Sequence, residues 1–155
     1  MKKLQSKDIP LQEIVLRRFE SPYGLEEREL SRKFLLSVGL LQTGESRDII
    51  VDLFMILLKS KKNATPKDIN FFVNELKDLP GASKPNLLRQ LKRLRDIKLV
   101  EKVQNGYRIT EFGRLDNIIS NYVTPFIVNQ TIERIREYAK EIDRRWKKNY
   151  LELLL

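Results

Sequence analysis

Cysteine and histidine are both missing from the 155 residues. Without cysteine there is no disulfide, no thiolate metal site and no thiol nucleophile. Without histidine the commonest general base near neutral pH and the commonest transition-metal ligand are lost as well. No apolar run approaches the roughly 18 residues that a membrane-spanning helix needs. Behind the basic start Met1-Lys2-Lys3 there is neither the apolar stretch nor the small-residue cleavage site of a secretory signal, so a cytoplasmic protein is expected. Glu26, Glu27 and Glu29 fall in the opening turns of a predicted helix, where they complement its dipole, and no nucleophile with a base accompanies them. The expectation is a protein that is not an enzyme, with no cofactor, no metal and no identifiable small-molecule effector.

What is present is a chain that is 41% apolar and 33% charged, long enough for one well-buried core. Its formal net charge is +9, and the stretch from Lys84 to Arg108 carries +6 of that. A local excess of this kind favours a polyanionic partner through Coulomb attraction.

Along the chain, Leu11, Ile14, Val15 and Phe19 share a helical stripe, and the turn residues Ser21-Pro22-Tyr23-Gly24 follow it. A second helix is predicted from Leu25 to Ser37, ended by Gly39. Gly39 and Gly44 stand five apart, but Glu45 and Ser46 follow where a phosphate-binding loop needs Lys and then Ser or Thr, so no nucleotide site is expected. From Arg47 to Lys61 apolar residues cover most of a helix circumference, as in a central buried helix. Thr65-Pro66-Lys67-Asp68 reads as a helix start, with Thr65 as the cap and Pro66 at the first helical position. That helix points Ile69, Phe72, Val73 and Leu76 inward and stops at Pro80-Gly81. Ser83 then caps a helix running to about Ile97.

Leu99 to Val103 and Tyr107 to Thr110 read as two strands around a turn centred on Asn105 and Gly106, since Asn-Gly readily takes positive backbone dihedrals. Thr124-Pro125 is predicted to separate a short helix, Arg114 to Tyr122, from a long one beginning near Phe126. On the long helix Val128, Ile132, Ile135, Ala139, Ile142 and Trp146 recur at alternating steps of four and three, the period of a coiled-coil seam. That seam either pairs two subunits or packs on the chain's own N-terminal helices. The tail from Tyr150 to Leu155 is very apolar for a free end.

Projecting residues 84 to 97 at about 100° per residue gathers Leu87, Leu91 and Leu94 on one side, with Leu88 on a flank. Asn86, Arg89 and Arg93 form a row on the other, with Lys92 beside them and Gln90 at the edge. Guanidinium can bond guanine through two parallel donors, and Asn or Gln can pair with adenine, so this face suits double-stranded DNA. Ser83, Lys84 and the free amides of the helix start suit a phosphate. Lys102, Asn105 and Arg108 on the hairpin reach flanking groove or backbone.

The run from Ser83 through Leu87-Leu-Arg-Gln-Leu-Lys-Arg-Leu94, then Leu99-Val100, the turn at Asn105-Gly106 and Tyr107-Arg-Ile-Thr-Glu-Phe-Gly113, resembles winged-helix transcription regulators of the broad ArsR, MarR and PadR kind over about residues 47–113. Where such proteins place glycine before the Leu-Val strand, this chain has Lys98. The resemblance implies a mostly α fold with a small β-hairpin wing, a winged helix-turn-helix with N-terminal helices and a long C-terminal helix. It implies a recognition helix at 83–97 in the major groove, a wing at 99–110, and DNA binding as a homodimer. The domain reading is a helical extension at 1–46, the winged helix at 47–123 and a dimerisation helix at 124–155. The competing reading is a winged helix used as a protein interaction module in a transcription or replication assembly.

Overall fold

Nine apolar residues in a run of ten make α2 (Ile49–Ser60) the element that the rest packs on. The computed structural model that shows this describes residues 8–42 and 48–154, with side chains as far as residue 147. The sequence readings at Met1–Lys7 and Gly44–Arg47, and those on side chains from Tyr150 onward, fall outside the described residues. Ile50, Leu53, Phe54 and Leu57 of α2 are almost fully buried. α1 (Glu27–Ser37) lies on one side of α2, with the Phe34 and Phe54 rings stacked 5.6 Å apart. α3 (Ile69–Leu76), α4 (Lys84–Asp96) and the hairpin lie on the others. Each buried Leu or Phe contributes about 2 kcal/mol through removal of its surface from water, so this cluster is the main source of stability.

The described chain is mostly helical, with one antiparallel hairpin and a long C-terminal helix. β1 (Val100–Val103) pairs with β2 (Gly106–Ile109) in the register Val100 to Ile109 and Val103 to Gly106. A single further rung joins the hairpin to the segment before α3: the Lys67 amide donates to the Tyr107 carbonyl at 3.0 Å, and the Tyr107 amide to Lys67 at 2.7 Å.

Four local expectations are corrected. Residues 10 to 20 are not helical and form no regular secondary structure, leaving Leu11, Leu16 and Phe19 open to solvent. A helix this short is marginal in water without a packing surface, and the segment is instead held by its passage over the end of α1. There a β-carbon on Gly39 would stand 1.8 Å from the Glu13 carbonyl oxygen, and Glu20 pairs with Lys33 at 2.6 Å. The cap of α3 is Asp68, whose carboxylate accepts from the Phe71 amide at 3.0 Å, because the bridge to Tyr107 keeps Thr65–Lys67 extended.

The hairpin turn is Gln104-Asn105, and Gln104 takes the positive φ of 55°. Gly106 is instead needed for closeness, since a β-carbon there would meet Pro66 Cβ at 2.6 Å. Thr124-Pro125 does not interrupt the C-terminal helix, which runs without a break through α5 (Leu115–Ile118), a π segment (Ile119–Val128) and α6 (Asn129–Leu154). In a π turn each amide reaches five residues back, and the widened backbone takes a proline ring that would clash in an α register.

α6 is about 39 Å long at 1.5 Å per residue and packs on the rest of the chain through the π segment. It does not lie along α1, so the intramolecular packing considered for its seam is not what the structure shows. Glu141 pairs with Arg145 at 2.9 Å and with Arg144. Among the described residues no helix is long and apolar enough to cross a membrane.

Candidate nucleic-acid interface

α4 starts where the sequence places it. Ser83 is extended, its hydroxyl accepts from the Asn86 amide at 3.4 Å, and Pro85 sits in the first turn, where an amide has no helical partner. Leu87, Leu91 and Leu94 are fully buried and fix the rotation of the helix, while Leu88 is open to solvent. This rotation splits the projected row. Asn86, Gln90 and Arg93 turn toward the body and form a ladder: Asn86 Nδ2 donates to the Gly81 carbonyl at 2.7 Å, Gln90 Nε2 to Asn86 Oδ1 at 3.2 Å, and Arg93 to Gln90 Oε1 at 2.8 Å. The other arm of the Arg93 guanidinium donates to the Leu40 carbonyl at 2.8 Å. Arg89 alone of the row Asn86, Arg89 and Arg93 stands in solvent.

The exposed face of α4 therefore lies further round. It presents Lys84, Arg89, Lys92 and Arg95, with Lys98 just past the helix end. Lys92 is paired with Asp96 at 3.3 Å, both well exposed, so the pair is weak and open to exchange. An open groove runs between the last turn of α4 and the hairpin. Lys92, Arg95, Lys98 and Lys102 line it together with Asp96, Glu101 and Tyr122, four cations against two carboxylates. Arg95 and Lys98 are the site residues that the sequence projection missed. The signal for Arg95 was its angular place beside Leu88, a leucine that a 13-residue helix did not need for burial.

Lys98 occupies a conformation that disfavours it. Its φ is 69°, and two bonds close the helix around it: its own amide to the Arg95 carbonyl and the Leu99 amide to the Leu94 carbonyl, at 2.9 and 3.1 Å. The same pair of bonds closes α1, where the equivalent position is Gly39 with φ 84°. Thr110 holds the outgoing strand to this corner, its hydroxyl donating to the Lys98 carbonyl at 2.6 Å.

On the hairpin, Lys102 and Asn105 are exposed and Arg108 is not free. The Arg108 guanidinium bonds Glu101 and lies 4.8 Å over the Phe112 ring. Glu101 also accepts the Glu111 amide, and Glu111 in turn accepts the Tyr122 hydroxyl at 2.9 Å. Donating to that carboxylate holds the Tyr122 phenol above its ordinary range, since ionising it would set two anions together. The Tyr107–Gly113 run thus serves as a corner that locks hairpin to C-terminal helix.

Of the predicted DNA-contacting residues, Ser83, Lys84, Arg89, Lys92, Lys102 and Asn105 lie in solvent, while Asn86, Gln90, Arg93 and Arg108 are half-buried in bonds within the chain. The predicted seam residues are all exposed, Val128 at the end of the π segment and Ile132, Ile135, Ala139, Ile142 and Trp146 along α6. Among the described residues no cluster of acidic side chains could hold a metal ion. Comparison with protein-family models, with curated proteins and with solved structures found no match.

Proposed function

We propose that this chain is a DNA-binding transcriptional regulator built as a winged helix, with α4 as the groove-entering helix and the β1–β2 hairpin as the wing, acting as a homodimer through α6. The observation that carries the reading is the division of labour on α4: three buried leucines hold it, and its outer face offers four exposed cations continuous with Lys98 and Lys102. The succession α2, extended residue Lys67, α3, α4, hairpin supports it, because a helix–bridge–helix–helix–hairpin order is what that architecture requires. Arg89 is the residue best placed to read a base edge. Lys84, Arg95, Lys98 and Lys102 suit phosphates on either side.

Enrichment of duplex fragments from a random pool by the purified protein tests the reading directly, and an inverted repeat is the expected product. With about four phosphates neutralised per subunit, log affinity against log salt falls with a slope of roughly −7. Affinity indifferent to salt refutes the proposal. A protein-interaction role draws on one observation, the solvent-open Leu11, Leu16, Phe19 and Tyr23 of the N-terminal segment. Capture of a protein partner that survives Arg89→Ala with Lys92→Ala would favour it.

A further inference from the structure

We infer that α6 joins two copies of this chain antiparallel, in the register that sets Ile135 against the second copy's Trp146 and Ala139 against its Ile142. The inference rests on the homodimer in the reading above and adds orientation and register to it. Ile132, Ile135, Ile142 and Trp146 are between 42% and 59% exposed, and nothing in the chain's own body covers them. Their alternation of three- and four-residue steps matches helices that wrap one another.

A parallel pair in register sets every residue against itself. Ala139 on Ala139 leaves a gap, Trp146 on Trp146 crowds, and isoleucine at both seam positions is not the pattern of a parallel two-stranded coil. Antiparallel pairing sets the small residue beside a large one instead. It leaves two registers that keep the seam aligned, one heptad apart. In one, Arg136 faces Arg136 of the second copy across the flank. In the other, Arg136 faces Asp143, and symmetry makes that attraction twice. No ion pair is formed by Arg136 or Asp143 within the described chain, whereas Glu141 on the outer side is bonded to both Arg144 and Arg145. Charge therefore selects the second register.

The absence of cysteine makes the test clean. Ile135→Cys and Trp146→Cys variants of the full chain are oxidised separately and mixed. Antiparallel pairing in this register yields a disulfide in the mixture alone, because two copies of position 135 stand about 16 Å apart along the axis, beyond the reach of a disulfide. A homodimeric disulfide from either variant by itself overturns the orientation. Cross-linking of Ile132→Cys to Ile142→Cys in its place overturns the register. A monomer in sedimentation at tens of micromolar with no cross-link overturns the whole inference. As a check that spares the seam, Asp143→Arg should weaken self-association at least tenfold, and adding Arg136→Asp should restore it to within about threefold. None of these measurements involves DNA: intact cross-links with no duplex binding would refute the DNA reading and leave this one standing.

Discussion

Replacing Lys98 by glycine should stabilise the protein and weaken the DNA binding proposed above in one step. The first effect follows from a φ of 69° in a residue with a β-carbon, closed by the bonds from Lys98 to Arg95 and from Leu99 to Leu94. An L-residue in that conformation carries about 1–2 kcal/mol of strain. Glycine removes it and returns part through the larger freedom of the unfolded chain, leaving a net gain of about 0.5–1 kcal/mol. For a chain of this size that raises Tm by about 1–4 °C at fixed protein concentration. The second effect follows from exposure of the ammonium group in the basic groove. Loss of one phosphate contact per subunit makes the salt slope of a dimer shallower by about 1.8. Lys98→Ala separates the two: it keeps the strain and removes the charge, so Tm should hold while the slope falls. Calorimetry and a salt titration on the three proteins decide it. A glycine variant no more stable than the alanine variant refutes the account of the helix end, and an unchanged slope in both refutes the groove.

Four further outcomes are expected. Arg93→Ala should cost about 1.5–3 kcal/mol in urea unfolding, since it strips a charged donor from the Leu40 carbonyl and from Gln90. Arg89→Ala should leave stability within about 0.5 kcal/mol and lower duplex affinity; the reverse pattern would mean that the rotation of α4 is wrong. Gly106→Ala should destabilise by about 1–3 kcal/mol through overpacking against Pro66, and an unchanged midpoint would show that the Pro66 contact beside the turn is loose. Tyr122 should ionise above its ordinary value of 10.0, and Glu111→Gln should bring its NMR titration back down. Because the folded-state value is raised, the stabilisation from that bond is present below pH 10 and lost as pH climbs through the shifted value.

The core was legible because it depends on spacing alone. Leu87, Leu91 and Leu94 had to share a side of α4, and the apolar run in α2 had to be central. The hairpin was legible from its alternation, although the turn settled one residue earlier than Asn-Gly suggests, since Pro66 needs the bare face of Gly106. What periodicity could not supply was the neighbour. Leu11, Ile14, Val15 and Phe19 have the spacing of a helix and no surface to press it on. Arg93 has the look of a solvent residue until the Leu40 carbonyl, 53 positions away, comes within reach. Pro125 marks a helix end only if the backbone keeps an α register, and here it does not.

The Pro66–Gly106 contact and the Lys67–Tyr107 rung bolt the hairpin close to its turn, so only Gln104 and Asn105 project beyond the paired strands. The span from the guanidinium of Arg89 to that tip is then a fixed dimension of the folded chain, like the opening of a caliper. Under the proposed function, a ligand whose charges repeat at a set pitch would be gauged by such an opening, and one of the wrong pitch rejected on geometry before any individual bond is counted.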